Sequence, residues 1–344
     1  MDEASGENTT TPASVETAEL VDLVYLWVDG ADPLWQCRRA HDFDRWIALN
    51  PDQLALHGNS SGRYRDNGEL LFNLRAVERF LTNVGHIYVV TDNQRPSWLQ
   101  TSAPLTIIDH RDLVGDRGEA IYDSGNVESY LHRIPGLSER FVYLNDDVFF
   151  GSPLDLSSWF SPTMKVYLET GTIAHPDTPQ RWEPAPVNAA ARSKELLLRL
   201  DPAYVHRPAT FSHAPRPMRK SVMVELEHLL PQVFAESRST TFREWRLPSL
   251  LPDFVPRWMT HTGLATAEIF DSLYISTCSP EADEQFAVLE ADFGTIPFFC
   301  INDTCDEADV ADPRLTRIAE TLQRLLPQPS TFERISAGTS QLSR

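Results

Sequence analysis

Residues Glu139 to Gly151 read ERFVYLNDDVFFG, and this stretch decides the fold. Phe141 to Leu144 is a short apolar run rich in β-formers, as a buried strand requires. It stops at Asn145-Asp146-Asp147 and resumes as Val148-Phe149-Phe150 before Gly151 and Pro153 break it. Adjacent carboxylates between apolar runs repel each other and resist desolvation. Ligands of open α/β sheets collect at the carboxyl ends of strands. A hard divalent cation, Mg²⁺ or Mn²⁺, would neutralise the pair and bridge it to a substrate phosphate. The alternative is a polar turn whose aspartates cap a neighbouring helix.

Upstream, DLVYLWVDGADPLW supplies a first buried strand over Leu23 to Val28, then Asp29 and Asp32 at its carboxyl end. Turn chemistry alone accounts for that pair, and Asp32-Pro33 opens a loop or helix. A second block begins with the polar cluster Arg63, Arg65, Asp66 and Asn67 and runs into a helix from about Gly68. Leu70, Leu74, Val77 and Leu81 form its apolar stripe, while Glu69 and Asn73 sit one turn apart near its start, where anions and ligands are received. Further strands follow at Ile87 to Thr91 and Leu105 to Ile108, ending in Asp92 and Asp109. Strand, helix, strand, with polar residues at each strand exit, reads as a Rossmann-like parallel α/β layout. Val127 to Ile134 reads as a helix capped by Asn126. Glu128, His132 and Arg133 on it either face a phosphate or form a solvated ion-paired face.

Downstream, residues 171–217 are proline-rich and predict irregular, acceptor-side structure rather than packed sheet. His213 stands beside Arg216, Arg219 and Lys220 before a helix over about Arg219 to Leu230, an arrangement suited to phosphate chemistry. Arg243 is a further phosphate clamp. FFCINDTCDEAD repeats the pattern of a strand ending in Asn302-Asp303, and Leu315, Ile318, Leu322 and Leu325 mark a final helix. A glycine-rich phosphate loop is absent from the sequence, against a P-loop or dinucleotide enzyme.

The 344 residues suffice for one large domain or two smaller ones. A formal net charge of −19 argues against nucleic acid as a partner and against a polybasic membrane anchor. No apolar run approaches membrane-spanning length, so no integral membrane segment is expected. The four cysteines are too sparse for a disulfide scaffold and read as reduced thiols of a cytoplasmic protein. Residues 1–19 and 336–344 read as loose tails around a domain over 20–335, in three parts: one to about 155, a more irregular helical one over about 156–290, and a closing motif over about 291–335.

Taken together, DLVYLWVDGADPLW, RYRDNGELLFNLRAVERF with VESYLHRIPGLSERFVYLNDDVFFG, HAPRPMRKSVMVELEHLLPQVF and CINDT resemble, in this order, the Stealth proteins. These are sugar-phosphate transferases that include bacterial capsule polymerases and the catalytic subunit of the lysosomal-enzyme GlcNAc-1-phosphotransferase. The resemblance implies a GT-A-like fold and a reaction moving hexose-1-phosphate from a UDP-sugar to a saccharide hydroxyl in capsular or exopolysaccharide synthesis, releasing UMP. It assigns catalytic roles to Asp29, Glu69, Asp146, His213 and Arg243, with Arg238 and Arg246 as neighbours of the last. Substrate contacts fall to Asp32, Arg63, Arg65, Asn67, Asn73, Glu128, His132, Arg133, Asn145 and Asn302. Asp146, Asp147 and Asp303 would hold Mg²⁺ or Mn²⁺. The partners implied are a UDP-sugar donor, a saccharide acceptor and, peripherally at the membrane's inner face, a polysaccharide assembly complex. Two rivals remain open: a glycosyltransferase releasing UDP, and a non-catalytic saccharide-binding protein.

Overall fold

The computed structural model describes residues 19–100, 104–115, 120–160, 162–168, 176–269, 272–309 and 311–334. The expected tails lie outside these, apart from Glu19, which pairs with Arg140. Five strands form the main sheet in the order Leu105–Asp109, Val84–Thr91, Val21–Leu26, Arg140–Asn145, Arg216–Arg219. The first four run parallel and the last is antiparallel to its neighbour. Helices flank the sheet, so the α/β reading holds. The central strand, VDLVYL, is buried along almost its whole length, as a parallel strand covered on both faces must be. It ends at Leu26, earlier than the sequence suggests, because the Gln94 side chain replaces a ladder partner: its Oε1 accepts from Asp29 N at 2.8 Å.

Asp22 is the exception inside that apolar strand. Its Oδ1 accepts from His86 N and its Oδ2 from Ser138 N, each at 2.8 Å, so one buried carboxylate ties the starts of both neighbouring strands.

The central feature is what happens after Asn145. FVYL stays in the main sheet, but Val148–Phe150 leaves it to pair antiparallel with Phe298–Asn302, which also pairs parallel with Leu273–Ser276. Phe149 stacks on Phe299 with ring centroids 5.2 Å apart and planes at 14°. Asp146 and Asp147 therefore occupy the corner where the chain passes from one sheet to the other.

Several expectations shift. Pro33–Leu49 is a 17-residue helix capped by the Asp32 carboxylate, which accepts from the amides of Leu34 and Trp35. The second helix, Glu69–Phe80, buries Leu70, Leu74 and Val77, while Leu81 belongs to a two-residue strand beside Leu154–Asp155. Val127 to Ile134 is no continuous helix. Asp123 caps a short turn, Ser124–Glu128, and a 3₁₀ turn follows at Leu131–Arg133. Asn126 lies buried within the first, its Nδ2 donating to the carbonyls of Arg238 and Thr240. The proline-rich region contains a 16-residue helix, Ala185–Leu200, with Pro186 in its first turn, where a missing N–H costs nothing. Residues 171–175 of that region lie outside the described set. The chain after His213 first forms the edge strand Arg216–Arg219 and only then the helix Lys220–Leu229. Asp312 caps the last helix, Pro313–Leu325. Among the described residues no helix is long and apolar enough to cross a membrane.

Replacing Asp22 with alanine would leave two buried amides without an acceptor. The expected loss is about 2 kcal/mol or more, or roughly 4 °C or more in thermal midpoint. A melt matching the parent would show that Asp22 ties nothing.

Candidate active site

A cleft of about 590 Å³ opens at the carboxyl ends of the main-sheet strands, with Asn145, Asp146 and Asp147 in its lining. Its other walls come from far apart in sequence: Arg63, Arg65 and Glu69 before and at the second helix, Glu128, His213 and Arg216, Arg243, and Asn302-Asp303. Gly62 makes one junction possible, since a Cβ there would sit 2.1 Å from the Asp303 carbonyl oxygen. Gly68, at φ 87°, turns the chain into the helix so that Glu69 starts it.

Carboxylates crowd the floor. Burial and then the neighbouring charges of Asp146 and Asp66 push the Glu69 pKa well up. Asp146 is likewise raised, by burial, then by Asp147 and Asp66. Asp66 is raised by burial above all, with the charge of Asp29 adding to it. Asn67 clamps Glu69, its Nδ2 donating to Oε1 at 2.8 Å and its backbone N to Oε2 at 2.5 Å. Asn73 fixes the corner, donating from Nδ2 to the Asp146 carbonyl at 2.5 Å. Neither amide lines the cleft; both position groups that do.

Asp147 behaves differently. Burial opposes its ionisation, but the charge and hydrogen bond of His213 outweigh that and hold its pKa below the usual carboxylate range. His213 Nε2 lies 3.0 and 3.1 Å from the two Asp147 oxygens, and the Cys300 thiol donates to Oδ2 at 3.4 Å. Asp147 thus orients an imidazole whose other nitrogen, Nδ1, can take a proton.

Arginines supply the opposite sign. Arg243 donates to Ser124 Oγ at 2.6 Å and lies 3.6 Å from Asp123. Desolvation of its guanidinium and then the positive charge of Arg243 lower the Arg63 pKa, although the residue as a whole is exposed to solvent. Two guanidiniums that feel each other, with Arg216 in the same cleft, make a site suited to a diphosphate. Glu128 is buried, accepts from Tyr143 OH at 2.8 Å and leaves Oε2 without a partner. Burial raises its pKa despite the nearby charges of Arg243 and Arg216.

The remaining sequence candidates lie elsewhere. Asp32 caps a helix, and Asp29 accepts from Ala31 N at 2.8 Å beyond the cleft lining. His132 and Arg133 belong to an ion cluster on Glu227, joined by Arg238. Burial opposes it, but the hydrogen bonds from Arg238 and His132 hold the Glu227 pKa down to about 2. Arg246 lies over the Trp245 ring, which leaves Arg243 as the cleft-lining arginine of its group. Asp303 pairs with Arg65 at 2.5 Å and accepts from Cys305 N at 3.0 Å, so the expected metal trio is not assembled. Among the described residues, the group whose potential ligand atoms lie within 4.8 Å of one another is Asp147, His213 and Cys300. Burial and Asp147 push the Cys300 thiol pKa well up, which makes it a poor ligand for a hard cation. Carboxylate oxygens such as those of Asp146, Asp147 and Glu69 suit Mg²⁺ or Mn²⁺ by type, although they do not all come within that distance of one another. Sequence reasoning placed Asp66 in the polar cluster before the second helix but gave it no role, and missed Tyr143 and Cys300. Tyr143 left a signal, since it shares a strand face with Asn145.

Because the fold raises the Asp146 pKa, it favours the protonated form. The stability tied to that proton is present at low pH and lost as pH rises through the native value. Asp146→Asn, a permanently neutral isostere, should therefore melt above the parent at pH 8 without divalent ions, by about 2 °C or more. The gap should close towards pH 4, and added Mg²⁺ should raise the parent more than the variant. Superimposable melts at both pH values would contradict the repulsion.

With this geometry in hand, three family models match the chain: Stealth protein CR1, conserved region 1, over residues 21–40; CR2, conserved region 2, over 63–167; and CR4, conserved region 4, over 296–341. These spans hold the first strand, the acidic corner and Asn302-Asp303. Exopolysaccharide phosphotransferase CpsY of Mycobacterium leprae is 33% identical over 96% of this chain, and exopolysaccharide phosphotransferase SCO6023 of Streptomyces coelicolor 33% over 91%. The chain spans 60% and 52% of the lengths of these two relatives. Capsular polysaccharide phosphotransferase fcs1 of Haemophilus influenzae is 29% identical over 83% of this chain and 78% of its own length. The three matched regions, in order and built around one cleft, place this chain in the Stealth family.

Proposed function

We propose that the protein transfers hexose-1-phosphate from a UDP-sugar to a saccharide hydroxyl, forming a phosphodiester and releasing UMP, in the synthesis of a capsular or exopolysaccharide. The observation that carries this reading is the Asp147–His213 pair, beside the raised carboxyl of Asp146 and in one cleft with Arg63, Arg216 and Arg243. The names of the relatives, exopolysaccharide and capsular polysaccharide phosphotransferases, agree with it. A GT-A-like sheet, with the donor at its strand exits, is part of the same proposal.

Asp147 holds His213 by Nε2, so Nδ1 takes the proton of the acceptor hydroxyl as its oxygen attacks the β-phosphorus. The bond from that phosphorus to the UMP oxygen breaks, and negative charge grows on the nonbridging oxygens and the leaving UMP. Arg63, Arg216 and Arg243 stabilise that charge, as preorganised cations at phosphoryl transfer do. Glu128 offers its unpartnered Oε2 to a substrate hydroxyl. Asp146 and Asp147, with Glu69, would hold Mg²⁺ or Mn²⁺, which supplies neutralising charge to the diphosphate.

Incubation with UDP-sugars, divalent ions and saccharide acceptors should give UMP and a phosphodiester resonance in phosphorus NMR. UDP with a phosphate-free glycoside would overturn the reading, and no turnover of any UDP-sugar would leave a binding protein. Asp146→Asn should lower turnover on the order of 10³-fold. His213→Ala should depress turnover far more than donor affinity; a rise in the Michaelis constant alone would make the imidazole a binding group.

A further inference from the structure

A second cavity of about 710 Å³ adjoins the first, and His110 and Ile121 line both. One wall is the exposed side of the helix Pro33–Leu49, through Asp42, Arg45 and Trp46; the other is the strand exit at His110 and Arg111. Its acids are already engaged. Asp42 accepts from Tyr122 OH at 2.8 Å, and Asp92 accepts from Trp35 Nε1 at 2.8 Å and pairs with Arg38 at 2.5 Å. Among the described residues Arg45 and Arg111, both exposed, have no carboxylate partner. In a chain of net charge −19, the cavity thus carries two guanidiniums without an ion pair, against one carboxylate, Asp42, that is held by a phenol and not by a cation. His110 is nine-tenths buried with Nδ1 unpartnered, and burial keeps its imidazole towards the neutral form. A buried ring nitrogen without a partner, on a residue that lines a polar cavity, is a group that a ligand hydroxyl can satisfy.

We infer that this second cavity binds the acceptor as an anionic saccharide chain, with Arg45 and Arg111 on a phosphodiester of that chain and His110 on a sugar hydroxyl. The inference rests on the proposed reaction, whose product carries such phosphodiesters and so can serve as the next acceptor. The first cleft has aromatic walls of its own, Trp27, Trp35, Tyr64 and Tyr122, and takes the whole donor with its base. Asp42, Arg45 and Trp46 lie between the matched regions 21–40 and 63–167, where acceptor preference can differ between relatives without touching the corner of the site.

The test is calorimetry on the full chain with phosphodiester-linked trimers of glucose, mannose and N-acetylglucosamine, the neutral trimer of N-acetylglucosamine, and UMP. At least one charged trimer should bind more tightly than the neutral one. The double variant Arg45→Ala, Arg111→Ala, which changes only exposed side chains, should weaken it about tenfold while leaving UMP affinity unchanged. Failure of every charged trimer to bind the parent, equal binding in the variant, or a matching loss of UMP affinity would overturn the inference. The last of these would put the nucleotide in the second cavity. Arginine-dependent trimer binding without UMP formation from any UDP-sugar would remove the proposed reaction and the acceptor role with it, and leave a binding site for an anionic saccharide.

Discussion

Everything in this molecule is arranged around four carboxylates that would move apart if the fold allowed it. Asp66, Glu69, Asp146 and Asp147 converge on one corner, and three of them are pushed towards their protonated forms by burial, with neighbouring carboxylates adding to it: Asp29 for Asp66, Asp146 and Asp66 for Glu69, and Asp147 and Asp66 for Asp146. Such crowding lowers stability unless a cation or a strong hydrogen-bonding frame offsets it. The frame is visible: Asn67 on Glu69, Asn73 on the Asp146 carbonyl, His213 on Asp147. Each is a hydrogen-bonding group set against a specific oxygen, which keeps the acids in place.

The corner stays rigid because its two arms are built into different sheets. FVYL is locked between the parallel strand Val21–Leu26 and the antiparallel strand Arg216–Arg219, while Val148–Phe150 is held by the Phe298–Asn302 strand and the Phe149–Phe299 stack. Large aromatic faces buried on one side of a turn restrict the backbone on the other. The acidic pair therefore has little freedom to swing away from its own repulsion, and the fold can hold a geometry that local preferences oppose.

Much of the fold was legible because apolar runs have no other use. The buried strands, the stripe of Leu70, Leu74 and Val77 and the final helix follow from pattern alone. Sequence failed where side chains substitute for backbone partners: Gln94 ends the first strand early, and Asp123 rather than Asn126 caps the turn before Glu128. It expected helical structure in the proline-rich stretch without locating it, and proline in fact begins the helix Ala185–Leu200. Within the site, the acidic corner, His213 and Arg243 were readable from local composition and the family resemblance together. His132 and Arg133 were not separable from site residues, since helical spacing says nothing of Glu227 nearly a hundred positions later. Cys300 gave no sign, because a buried cysteine in an apolar strand looks the same whether or not a carboxylate faces it.

The Arg65–Asp303 pair joins residues 238 positions apart, and the Gly62 backbone packs directly against Asp303. The acidic corner is complete once roughly the first half of the chain is made, whereas the wall that closes the cleft is contributed near the far end. During synthesis the acidic corner is thus made well before the wall that closes it, and stays open on that side until the strand Phe298–Asn302 emerges and docks. The cleft is completed at the last stage of assembly, and a chain interrupted before that strand lacks its closing wall.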